Sequence, residues 1–276
     1  EDSVIDSYKG PIKWLWMLLF HGLPWLAVCG LVHIFGLRRG FFAQSSFWIK
    51  FFIGFGTLAL TRSFIGYESL MDLWKPIDYF FFARCFNRAS HSLIALPIFL
   101  LFYYFYEKER PRNWYGLSRR GFEAKPYVVL LGLAAGAIFV GSFISELSNY
   151  YPRYDKTGLD LYLGIEKPGI AKQVFIALYE VCYGSSFLAV ELIFRGFLIL
   201  AFTHLLGPQA VLPMVITYAF LHFGKPVTET LSSIFGGYIL GIISYYSRNI
   251  WGGVFIHVGV AWLMEIFGWL QNAFWK

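Results

Sequence analysis

Five stretches of this chain run for at least eighteen residues without Asp, Glu, Lys or Arg. They are Trp14 to Leu37, Ala89 to Tyr106, Tyr127 to Ser145, Gly196 to Gly224 and Thr230 to Ser247. A hydrocarbon core about 30 Å thick, divided by a 1.5 Å helical rise, asks for about 20 such residues per crossing. Three further stretches have the length but carry charge. Phe47 to Ile65 holds Lys50 and Arg62, Val174 to Leu205 holds Glu180, Glu191 and Arg195, and Trp251 to Leu270 holds Glu265. The runs do not alternate, which excludes a β-barrel. The whole chain is 57% apolar and only 14% charged, where a soluble domain carries about 25% charged residues. The sequence therefore predicts an all-α polytopic membrane protein, a bundle of about eight transmembrane helices around a polar intramembrane cavity. The last four helices are expected to begin near Val174, Gln209, Thr230 and Trp251.

Two regions follow from this reading. Residues 1–126 hold about three N-terminal membrane helices and a basic loop, and residues 127–276 hold a membrane core of about five. The residues before the first span carry no cleavable-signal pattern. The net charge of +6 is concentrated in the loop, in Lys108, Arg110, Arg112, Arg119, Arg120 and Lys125, with Arg38 and Arg39 after the first span. With eight crossings both groups fall on one side, which the positive-inside rule makes cytoplasmic, and both termini face outward. This pattern points to anionic membrane lipid as a partner and not to nucleic acid. The connection from Ser145 to Lys172 is polar, with Leu161 and Tyr162 suggesting a short interfacial element. Cys29, Cys85 and Cys182 form no paired motif and read as packing residues.

A charge in the middle of an apolar helix costs about 2.5–3.5 kcal/mol even on the mildest scale, so each one marks a functional candidate. Nearly all such residues lie in the second half: Glu180, Glu191, Arg195, His222, Lys225, Glu229, His257 and Glu265. His21, His33 and His91 in the first half lack partners at helical spacing. Glu191 and Arg195 are four apart and share a face. Glu180 precedes Glu191 by about three turns on that face. Pro226 is expected to end a helix after His222 and Lys225, placing Glu229 at the start of the next. A carboxylate and a histidine can activate water, and a second histidine can donate to a developing oxyanion. An ion pair locking the bundle explains Glu191 and Arg195 equally well. His222, His257 and Glu191 would also make a two-histidine, one-carboxylate zinc set, although no HExxH is present.

These same residues resemble the CAAX protease and bacteriocin-processing (CPBP) family of intramembrane proteases, to which the Ras-converting CAAX endopeptidase belongs. The family's motifs are Glu-Glu-x-x-x-Arg, Phe-x-x-x-His and His-x-x-x-Asn or Asp. Their counterparts here are Val190-Glu191-Leu-Ile-Phe-Arg195, Tyr218-Ala-Phe-Leu-His222 and His257-Val-Gly-Val-Ala261. The likeness covers roughly Val174 to Glu265 and suggests a divergent bacterial member in a cytoplasmic membrane. It implies a metal-free endopeptidase of glutamate type acting on a membrane-embedded or membrane-proximal peptide. Glu191 would be the base on water, His222 would polarise the same water, His257 would stabilise the oxyanion and Arg195 would hold Glu191 ionised and oriented. Glu180, Lys225, Glu229 and Glu265 would support them.

Two family positions are apolar in this chain, since the first glutamate falls on Val190 and the last polar residue on Ala261. Those departures keep a second class open, a catalytically inactive scaffold that binds a partner protein. A transporter would call for an inverted repeat or interrupted helices in both halves, and neither is seen.

Overall fold

The computed structural model describes residues 4–64, 76–107, 113–119, 122–159 and 170–274. Within them the chain is helical and forms no strand. In order, the helices are α1 (Gly10–Ile34), α2 (Ser45–Ser63), α3 (Pro76–Tyr106), α4 (Ala124–Gly141), α5 (Ser145–Tyr150) and α6 (Ile170–Glu191). A π-helical segment, Leu192–Ala201, continues α6. It is followed by α7 (Thr203–Leu206), α8 (Val211–Leu221), α9 (Val227–Ser247) and α10 (Trp251–Phe274). Lys108, Arg110, Arg112 and Arg120 of the expected basic loop, and the expected element at Leu161 and Tyr162, lie outside the described residues.

Among the described residues seven helices are long and apolar enough to cross a membrane. The expected crossing at Phe47 to Ile65 is also helical, as α2, but its two cations keep it below that apolarity. The chain is an integral, multi-pass membrane protein. Side chains such as Leu23, Leu93, Leu133, Val140 and Phe235 are more than half exposed on these helices, as lipid-facing residues should be. Helix α4 buries 11% of its apolar window, whereas the span Lys172–Ala201 buries 78%. The span that carries Glu180, Glu191 and Arg195 is thus packed by protein on most sides.

Two compact units interleave along the chain. The first comprises residues 1–64, 93–122 and 189–253. Its interior is aromatic: Trp25 of α1 is fully buried among Phe47, Phe51, Phe55 and Phe202, with ring centroids 4.9–5.8 Å apart. Phe99 of α3 stacks on Phe197 of the π segment at 4.4 Å. One end of this unit is polar. There Arg38 donates to the carbonyls of Leu205 and His204, Arg248 donates to Thr203, and Asn249 and Trp251 donate to the carbonyls of Ser118 and Leu117. Helix C-termini leave carbonyls without intrahelical donors, and the Arg38 guanidinium fills that need at the end of α7.

The second unit comprises residues 65–92, 123–188 and 254–276. Phe81, Cys85, Leu159, Tyr179, Tyr183 and Ala261 form its buried apolar cluster. Gln271 of α10 donates to Ser142, and Ser92 of α3 donates to the Ser185 carbonyl of α6.

All ten residues of the π segment are buried. Its wider i→i+5 winding is uncommon and frequent at functional sites. Gly196, directly after Arg195, lets the segment meet the loop ahead of α4, because a Cβ there would sit 2.7 Å from the Tyr115 carbonyl oxygen. A Gly196→Val protein is therefore expected to lose about 1–3 kcal/mol through overpacking. Gly132 on α4 has no heavy atom within 4 Å of an added Cβ, so Gly132→Ala serves as the control. Thermal unfolding in detergent measures both, and equal midpoints would contradict this packing.

Candidate functional site

Glu191 ends α6 and Arg195 follows one turn later on the π segment. Both side chains are completely buried, and Nη1 of Arg195 lies 3.0 Å from Oε1 of Glu191. The expected pairing is present. A buried pair of this kind gains its Coulomb energy only against a large desolvation cost, and breaking it by losing one partner costs about 3–5 kcal/mol. Burial of the carboxylate depends on Gly253 near the start of α10. A Cβ at residue 253 would overlap the Glu191 carboxylate.

Tyr218 joins this pair to the second motif. The Arg195 guanidinium lies over its ring at 4.5 Å, and the His222 ring meets the same ring at 4.5 Å, edge to face. Glu191 and Glu229 both lie within electrostatic reach of its hydroxyl. Gly237 of α9 makes room for the ring, since an added Cβ would approach Tyr218 at 3.0 Å. The Tyr218 carbonyl also orients the histidine, with His222 Nδ1 2.8 Å away. A carbonyl only accepts, so Nδ1 carries the hydrogen, and in the neutral ring Nε2 is the acceptor.

The break after His222 follows the sequence expectation closely. Helix α8 ends at Leu221, Gly224 takes φ +88°, and Pro226 caps α9. That positive φ suits glycine, which has no Cβ to clash. Lys225 Nζ lies 2.6 Å from Glu229 Oε1, closing an ion pair across the break. Thr230 Oγ1 donates to the His222 carbonyl at 2.9 Å and ties the turn to α9.

His257, Glu180 and Glu265 belong to the second unit. His257 of α10 stacks on Phe187 of α6 with centroids 5.5 Å apart and planes 13° from parallel. Glu265 accepts the backbone N–H of Arg153 at 2.8 Å on both oxygens and that of Tyr154 at 3.3 Å. Its visible work is to anchor the loop after α5. Glu180 lies beside Glu265, with Arg88 of α3 close by, and Arg88 itself sits over the Tyr183 ring at 4.8 Å. Among the described residues no group of three or more His, Cys, Asp or Glu is placed to hold a metal ion.

Sequence reasoning passed over three participants. Tyr218 stood only as a substitute for phenylalanine, although a buried hydroxyl beside two charges was a signal. Gly253 left no trace in the sequence, because only proximity reveals what a missing Cβ makes room for. Lys50 was noted as an interruption of an apolar run, which is the signal that should have flagged it.

The Gly253 observation yields a direct test. A methyl group in Gly253→Ala is expected to push the Glu191 carboxylate off Arg195, at a cost approaching the 3–5 kcal/mol of a broken buried pair. Gly236→Ala, with no heavy atom within 4 Å of its new Cβ, should leave the unfolding midpoint in place. A Gly253→Ala midpoint matching that of Gly236→Ala would remove the carboxylate from this position.

Comparison with known proteins points the same way as the motifs. Curated proteins and solved structures yield no match to this chain. Residues 174–263 match the family described as type II CAAX prenyl endopeptidase Rce1-like. That segment begins within α6, contains the π segment, Tyr218 and His222, and extends past His257 into α10. Over residues 174–263 the C-terminal membrane core of this chain is thus similar to the Rce1-like family of type II CAAX prenyl endopeptidases.

Proposed function

We propose that the chain is an intramembrane endopeptidase of glutamate type in a bacterial cytoplasmic membrane, hydrolysing a membrane-embedded or membrane-proximal peptide. The observation that supports this reading best is the Glu191 carboxylate, fully buried and held by Arg195 at 3.0 Å, with His222 on the same tyrosine. In the proposed reaction Glu191 removes a proton from water as its oxygen adds to the scissile carbonyl carbon. The proton then passes to the leaving amine as the C–N bond breaks. His222 polarises the water through Nε2, and Arg195 keeps the base oriented. The oxyanion role of His257 rests on the order of the family motifs. Lys225 and Glu229 hold the turn behind His222, while Glu180 and Glu265 support α6 and α10. No metal enters this scheme.

Removing a general base lowers turnover by about 10²–10⁴-fold. In a strain carrying Glu191→Gln in native membranes, the substrate should therefore accumulate uncut. The variant's unfolding midpoint must be measured beside it, because Arg195 loses its partner charge. Undiminished cleavage by a folded Glu191→Gln protein would end the role given to Glu191. Treatment with EDTA should leave cleavage unchanged; loss with EDTA and recovery with zinc would replace the glutamate mechanism with a metal one.

A second reading is favoured by two positions. Val190 and Ala261 are apolar where the family carries a carboxylate and a polar donor, which fits a catalytically inactive scaffold binding a partner protein. A stoichiometric partner that co-purifies and is never cut would support the scaffold. Val190→Glu separates the two readings further: it should raise turnover in a protease whose base is displaced, and leave a scaffold inert.

A further inference from the structure

A lysine in the middle of a membrane protein needs a reason, and Lys50 of α2 is completely buried. Its ammonium lies 2.5 Å from Glu107, just past the end of α3, and donates to the Ala201 carbonyl at 2.7 Å. Glu107 also accepts from the Tyr115 hydroxyl at 3.2 Å. Tyr115 in turn is the residue whose carbonyl faces Gly196, and its ring packs on Phe197 with centroids 5.3 Å apart. The same network thus touches the π segment at both Gly196 and Ala201, on either side of Phe197.

Stability alone does not account for this arrangement. A buried ion pair replaced by apolar residues of similar volume is often neutral or stabilising. Apolar residues could not donate to the Ala201 carbonyl, which ends the π segment. A helical segment whose terminal carbonyl is held by a fixed donor resists rewinding from i→i+5 to i→i+4 bonding. Rewinding would rotate Arg195 relative to Glu191, which lies at the junction with α6.

We propose that Lys50, backed by Glu107, is a positioning residue that holds the π winding of Leu192–Ala201 and so keeps Arg195 in register with Glu191. The proposal deepens the protease reading and rests on it for its kinetic consequence, while its structural consequence stands without it. The decisive variant is Lys50→Met/Glu107→Gln. It removes both charges together, retains an acceptor for Tyr115 and takes the lysine donor from the Ala201 carbonyl.

Two readouts are taken on the full-length protein in lipid nanodiscs. Amide hydrogen exchange across residues 196–206 should rise at least tenfold while exchange in α9 stays within twofold. Turnover of the substrate captured uncut from the Glu191→Gln strain should fall at least tenfold in kcat, with KM within threefold. Unchanged exchange in a folded double variant overturns the proposal, and so does raised exchange with kcat intact. If the neutral pair does not assemble, Lys50→Arg decides the question. It keeps charge and donor, and should retain protection of 196–206 and most of the turnover; a tenfold loss of either in folded protein overturns the role. If Glu191→Gln cleaves normally, the protease reading fails by itself, and the exchange measurement still judges Lys50.

Discussion

The pair between Glu191 and Arg195 constrains everything around it, because inside a bilayer neither charge can turn to water. Each must be met by protein, and the way it is met dictates the local fold. Gly253 has no side chain because the carboxylate occupies that space. The guanidinium lies over the Tyr218 ring, and the glycine at 237 makes room for that ring. Gly196 admits the Tyr115 carbonyl directly behind Arg195. Gly253 directly, and Gly237 through Tyr218, thus answer to a single ion pair, since the desolvation cost is repaid only when the geometry is close.

The same rule governs the first half of the chain, where it is easily overlooked. Lys50 and Glu107 form a second fully desolvated pair, and it reaches the opposite end of the segment that begins beside Glu191. One span therefore has a charge pair near each end, with an aromatic interior between. Phe194 and Phe197 are buried completely, so little in that stretch can move without disturbing one pair or the other. Rigid placement of this kind is what the proposed role of Glu191 would require, since misplacement of a reacting group by about 1 Å can cost roughly 10²-fold in rate.

Much of this architecture was legible in the sequence. Uninterrupted apolar runs located the crossings because the hydrocarbon thickness sets their length, and Pro226 marked the turn after His222. The spacing of Glu191 and Arg195 gave their pairing. The π winding was not legible: residues 192–201 are apolar apart from Arg195 and Gly196, so no hydrophobic face distinguishes i→i+5 from i→i+4 bonding. Lys50 could be seen as anomalous but not paired, because Glu107 lies on a different helix end and no sequence spacing connects them. Glu265 read as a member of a polar site, yet its oxygens are engaged by backbone N–H groups of a loop. A carboxylate that anchors backbone and one that activates water look identical in a sequence.

The two family positions that turn apolar in this chain are not equivalent. Val190 precedes Glu191 on a helix whose next residues are wholly enclosed, and it is itself only partly buried. A carboxylate there would have room to turn toward a polar neighbour. Ala261 lies inside the apolar cluster with Phe81, Cys85, Leu159, Tyr179 and Tyr183. An asparagine in its place would bury an amide among side chains that are mostly apolar, at a cost of about 1–3 kcal/mol unless it reached a partner such as a tyrosine hydroxyl. A carboxylate at position 190 would disturb packing little, whereas Ala261 is built into the core of its unit. A return to the family pattern is therefore physically open at one position and opposed by packing at the other. Ala261 thus contributes to how α10 packs, one turn below the histidine that stacks on Phe187.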